Sequence, residues 1–155
     1  MGLRIQLLGP MRVLDGPSAL KLPPRSRHLS LWGYLLMNRG RPTPRNLLAY
    51  TFWPDAPEDE SRLNLRRHIR RLLELLPSAP PDNPWLLSDR STLQWNPATD
   101  FWLDVAEFER LSAEPARLAD AVDLYGGNLL EGLYDDWVFG DRERLREARV
   151  QDLPD

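Results

Sequence analysis

The sequence contains no cysteine. Disulfides, thiolate metal sites and thiol chemistry are thereby excluded, and a reducing cytoplasm fits. Histidine is nearly absent too. Among 155 residues only His28 and His68 occur, on separate predicted helices and without a ligand spacing such as HExxH. No apolar run approaches the roughly 20 residues that span a bilayer. The opening MGLRIQLLGPMRVLDG has no basic region followed by a long apolar run, so no signal peptide is expected. Gly2 invites a lipidation reading, but Gln6 stands where Ser or Thr is needed. No GxxxxGK[ST] phosphate loop is present, and Gly126-Gly127-Asn128 does not replace it. Asp135-Asp136 before Trp137 is more simply a helix start than a metal site. Nothing pairs a nucleophile with a base. The expectation is a non-enzymatic chain with no cofactor, no metal and no membrane segment.

Hydrophobic residues make up 42%, enough for a packed core, and the 15 prolines point to many short connections. The net charge of -3 hides an asymmetry. Residues 1–98 hold 14 basic against 8 acidic residues, a charge of +6. Residues 99–155 hold 6 against 15, a charge of -9. The front is a candidate for an anionic partner and the back is not. Two domains are expected, residues 1–98 and residues 99–155.

The front half opens with β-prone runs at Leu3 to Gly9, Met11 to Asp15 and Ala19 to Leu22, closed by Pro23-Pro24. Leu29, Trp32, Leu35 and Leu36 have helical spacing within Arg25 to Asn38. Thr43-Pro44 reads as an N-cap with proline at the first helical position. The helix that follows should bury Leu47, Leu48 and Phe52 before Pro54. Asp55 and Glu58 have capping-box spacing and should open a third helix running to about Leu76. WLLS (85–88) and TLQWN (92–96) read as a hairpin around Asp89-Arg90-Ser91. After Pro97 the chain reads as helical: Asp104 to Ala113, Pro115 to about Leu133 with Gly126-Gly127 interrupting or ending it, and Asp136 to about Leu153. Trp102, Phe108, Leu111, Leu124 and Leu129 are the expected core there.

The third helix contains SRLNLRRHIRRLLELL, with five arginines from Arg62 to Arg71. At 100° per residue Leu65, Ile69, Leu72 and Leu76 share one stripe, with Arg67, Arg70 and Arg71 opposite and Asn64 and Arg66 flanking. A solvated face, a membrane-surface helix and a nucleic-acid-binding helix are all open from this run alone. Arginine suits DNA because it makes bidentate pairs with phosphate or guanine, and the front half holds a single lysine, Lys21. The order of elements favours DNA. Three helices followed by a hairpin is the order of a winged helix, in which the basic third helix reads the groove. The candidate DNA-binding residues are Asn64, Arg66, Arg67, Arg70, Arg71, the hairpin-tip Arg90, and Arg45 at a helix start. Arg25, Arg27 and Arg41 are weaker phosphate-contact candidates. Arg62, nearest the apolar stripe, is the least favoured of the five.

Several motifs resemble one family. Trp53-Pro54-Asp55 with PEDESRLNLRRHIRRLLELL, and the opening LRIQLLGPMRVLDG, are similar to the antibiotic regulatory protein (SARP) family. WLDVAEFERL, LYGGNLLEGL and DRERLREARV are similar to its bacterial transcriptional activator domain. The wing reads SDRSTLQW, without the Gly-Tyr often found there. The resemblance implies an α+β OmpR-like winged helix-turn-helix followed by an all-α, tetratricopeptide-like segment that holds only part of that domain. It implies a cytoplasmic transcription regulator that binds promoter repeats in double-stranded DNA as a homodimer and contacts RNA polymerase. The other class in view is a protein-interaction adaptor whose winged helix does not read DNA.

Overall fold

The computed structural model describes residues 2–23 and 27–154. Arg25 and the Pro24 end of the expected Pro23-Pro24 break lie outside the described residues. Strands β1 (Leu3–Gln6), β2 (Arg12–Asp15) and β3 (Ser18–Ala19) come first. Helix α1 (Arg27–Met37), strand β4 (Thr43–Pro44), and helices α2 (Arg45–Phe52) and α3 (Glu58–Leu75) follow. Then come β5 (Leu86–Ser88), β6 (Thr92–Trp95) and β7 (Phe101–Leu103). Helices α4 (Asp104–Ser112), α5 (Leu118–Leu124) and α6 (Asp136–Asp152) complete the order, with a 3-10 turn at Pro115–Arg117.

These elements gather into two compact units, Met1–Leu20 with Asp100–Asp155, and Lys21–Thr99. The division expected at residue 98/99 is therefore corrected at the front. The N-terminal sheet belongs with the C-terminal helices, and that segment is not all-α. The cause is β7, which pairs parallel with β1 in the register Leu3↔Phe101, Arg4↔Trp102 and Ile5↔Leu103. It completes a sheet of order β3-β2-β1-β7. Leu3, Ile5 and Leu103 face the core. On the other face the Arg4 guanidinium lies 3.8 Å over the Trp102 ring, which leaves Trp102 half-buried instead of in the core.

Beyond β1 the backbone of Leu7 to Gly9 still needs partners. The buried Asp104 carboxylate accepts the N–H of Leu7 at 2.8 Å, of Leu8 at 2.9 Å, and of Val105 at 2.8 Å. Burial pushes this carboxyl above the ordinary carboxylate range, against the pull of those hydrogen bonds. Leu130 N–H donates to Leu7 O at 2.7 Å and Gly9 N–H to Asn128 O at 3.0 Å. A Cβ on Gly127 would stand 3.1 Å from the Cα of Gly9, whose φ is +123°. LLG and GGNLLEG are thus two halves of one contact. That contact holds Tyr125 to Asp135 out of helix, so of the two readings of Gly126-Gly127 the helix ends there, at Leu124, and does not resume to Leu133. Arg142 of α6 closes the loop by donating to the carbonyls of Leu129, Leu130 and Leu133. Phe108, Leu111 and Leu129 are buried as expected, and Leu124 is half-buried.

In the second unit α3 packs on α1 and α2, and these two meet a sheet of order β4-β6-β5. Leu31, Trp32, Leu35 and Leu36 of α1 and Leu48 and Phe52 of α2 are buried. The Trp95 ring stacks on Trp85 at 5.6 Å and lies 6.1 Å from Trp32. Two expected helix starts differ. Thr43 and Pro44 pair with Leu93 and Thr92 as β4, because a residue before proline is pushed into the extended region. No capping box forms at Asp55 and Glu58. Pro57 is the N-cap of α3 and no side chain caps it, while Glu58, Asp59 and Glu60 in the first turn favour the helix dipole. Leu47, expected in the core, is 46% exposed.

Candidate nucleic-acid interface

Helix α3 is built as its spacing predicts. Leu65, Ile69, Leu72 and Leu76 are buried, while Arg62, Arg66, Arg67, Arg70 and Arg71 are exposed. The arginines do not form one uniform face. At 100° per residue, Arg66 and Arg70 flank the stripe on the side of Ile69 and Leu73, Arg67 lies opposite the core, and Arg71 and Asn64 flank the other side.

On the first side a groove of about 710 Å³ runs between the start of α2, α3 and the β5–β6 hairpin. Arg45, Arg62, Leu65, Arg66, Asp89 and Arg90 are among its walls. A neighbouring concavity of about 510 Å³ adds Arg70 to Arg45 and Arg66. The structure thus brings Arg45, Arg66, Arg70 and Arg90 to one side. On the other side Arg71 and half-exposed Asn64 face α1. There His28 and His68 stack at 4.0 Å between centroids. Trp53 packs edge-on against His68 at 4.7 Å, and His68 Nδ1–H donates to Asn64 O at 2.8 Å. Burial lowers the pKa of both imidazoles. His68 and Arg71 lower His28 further, and Arg27 lowers His68 further.

What each arginine already holds separates them. Arg62 pairs with Glu58 at 2.5 Å. Arg41 bonds Asn38 Oδ1 at 3.3 Å, and Arg27 donates to Phe52 O and reaches toward Trp53. Arg45 donates from Nε to Asp89 O at 2.8 Å and from its NH2 group to Ser88 Oγ. The guanidinium groups of Arg66, Arg67, Arg70 and Arg90 hold no hydrogen bond or ion pair among the described residues. Like charges gathered without ion pairs repel one another, and an anion laid across them relieves that repulsion.

Sequence reasoning missed Asp89. Its Oδ1 accepts the N–H of Ser91 and of Thr92, each at 2.7 Å. The Thr92 and Ser91 amides, helped by the Thr92 hydroxyl and Arg45, hold its carboxyl below the ordinary range. The signal was present, since Asp followed by Ser and Thr in a turn is the pattern of a side-chain-capped turn. The Glu58–Arg62 pair was likewise legible as an i,i+4 spacing. Among the described residues no three His, Asp or Glu stand close enough to hold a metal, and no helix is long and apolar enough to cross a membrane.

The chain is thus of a mixed α/β class, with a basic three-helix unit closed by a β hairpin. No family model matches it, and no curated protein matches it either. Among solved structures it is similar to Mycobacterium tuberculosis EmbR, as seen in complex with a low affinity phosphopeptide. The likeness has a TM-score of 0.79 and 20% identity over 97% of this chain, which spans 43% of the length of that EmbR chain. It shows the fold they share.

Proposed function

We propose that Lys21–Thr99 is a winged helix-turn-helix that binds double-stranded DNA, and that the chain is part of a SARP-type bacterial transcription regulator. In this reading α3 enters the major groove and the β5–β6 wing lies on the minor groove or the backbone. Arg66, Arg67, Arg70 and Arg90 meet DNA directly, with Asn64 and Arg71 beside them. The observation that carries the reading is the set of partnerless arginines on α3 and the wing tip. The motifs that resemble the SARP family and the fold shared with EmbR support it. As in that family, the chain acts in the cytoplasm as a homodimer on promoter repeats and contacts RNA polymerase, with the tetratricopeptide-like helices serving protein contacts.

Phosphate contacts release counterions, so binding to a duplex falls steeply as salt rises. Fluorescence anisotropy over a salt series tests this. Six phosphate contacts correspond to a slope of about -5 in log K against log salt. No binding even at low salt would instead favour the adaptor reading. One feature on α2 speaks for that second reading: Leu47 and Tyr50 are 46% and 70% exposed and join no core.

A further inference from the structure

Arg45 is unlike Arg66, Arg67, Arg70 and Arg90. Its backbone N–H donates to Ser91 O at 2.8 Å, its Nε to Asp89 O at 2.8 Å, and its NH2 group to Ser88 Oγ. One residue at the start of α2 therefore grips three residues of the hairpin turn. From inside the turn Asp89 grips the rest: its Oδ1 takes the amides of Ser91 and Thr92, and its own N–H donates to Thr92 O at 3.1 Å. Arg90 is the turn residue between these anchors, and its guanidinium is the one left free. Asp89 also needs a reason. An anion beside Arg90 repels phosphate, so its presence on a DNA-facing turn is unfavourable unless it builds the turn.

We propose that Arg45 is a positioning residue and not a phosphate ligand: with Asp89 it latches the wing turn to the start of α2 and so aims Arg90 at the DNA. The role rests on the DNA reading above. Its physical basis is preorganisation. A turn already fixed by Arg45 and Asp89 loses little further freedom when Arg90 engages, and the gain appears as affinity. Two of the five N–H donors of Arg45, on Nε and Nη2, are already occupied, so the side-on edge of its guanidinium is not free to clasp a phosphate.

Arg45→Lys separates the two roles, since it keeps the charge and loses the fork. A phosphate contact made by charge alone tolerates that change. The latch predicts that Arg45→Lys weakens duplex binding on the order of tenfold, as Arg45→Ala does. It also predicts that the loss nearly disappears in an Arg90→Ala background, because both changes break one unit. Asp89→Ala gives a test of sign. Removing an anion from the face tightens binding if only charge matters, whereas the latch predicts weaker binding. In the DNA-free protein, amide hydrogen exchange at Ser91 and Thr92 should quicken in Arg45→Lys and in Asp89→Ala. Arg45→Lys binding like the unsubstituted chain, additivity with Arg90→Ala, or unchanged exchange overturns the latch and leaves the DNA reading standing. Failure of the unsubstituted chain to bind at low salt overturns the DNA reading and takes the role of Arg45 with it.

Discussion

Arg62 and Arg66 stand one turn apart on α3 and line the same groove, yet their surroundings differ. Arg62 is spent on Glu58, whereas Arg66, Arg67 and Arg70 make no ion pair among the described residues, although Glu74 lines the same concavity as Arg66 and Arg70. In the proposed complex Arg67→Ala or Arg70→Ala should cost about 1–3 kcal/mol of binding and relax specificity at one base pair if that residue reads a base. An equal loss on every sequence assigns it to phosphate. Arg62→Ala should remove an exposed pair of about 0.3–0.5 kcal/mol and leave DNA affinity within about twofold. Competition anisotropy with singly mutated duplexes measures all three variants. An Arg62→Ala loss as large as that of Arg67→Ala would show that the Glu58 pair opens on binding. At this scale the sequence tells which residues are cationic and which face they take. It does not tell which are already engaged, because engagement depends on partners across the fold, as with Arg45 and the hairpin.

Between elements, the His28–His68 stack joins α1 to α3 beside Trp53, Arg27 and Arg71. Both imidazoles are held below their ordinary value of 6.5, so the folded unit disfavours their charged forms. A depressed pKa contributes stability that is full above the unfolded value and is lost as pH falls through the folded one. Urea unfolding of the chain, followed by tryptophan fluorescence, should therefore show stability declining once pH drops below 6.5, and His68→Gln should flatten that decline. A decline confined to below about pH 5, where carboxylates titrate, would contradict it. The long elements here were legible, since the period of Leu65, Ile69, Leu72 and Leu76 is a local signal. The short strands were not. Thr43-Pro44 carries the marks of a helix start, and only its pairing with Leu93 and Thr92 makes it β4. Phe101 to Leu103 has no alternation, and its partner β1 lies almost a hundred residues earlier, a distance over which local pattern carries no information.

For the whole molecule, the charge asymmetry survives the correction of the boundary. Lys21–Thr99 holds 12 basic against 7 acidic residues, a charge of +5. The remainder, Met1–Leu20 with Asp100–Asp155, holds 8 against 16, a charge of -8. Each unit has its own core, centred on Trp32, Trp95 and Phe52 in one and on Ile5, Phe108 and Leu145 in the other. A fragment of residues 21–99 should therefore unfold cooperatively by circular dichroism. If its cationic face binds DNA, the fragment should bind a non-cognate duplex more tightly than the full chain at low salt, because the tethered -8 repels phosphate within a screening length of about 30 Å at 0.01 M. The difference should shrink near 0.15 M, where screening acts within about 8 Å. A full chain that binds more tightly than the fragment at both salts would mean that the acidic unit adds contacts to DNA or a second copy on it, and that the division of labour drawn from charge is wrong.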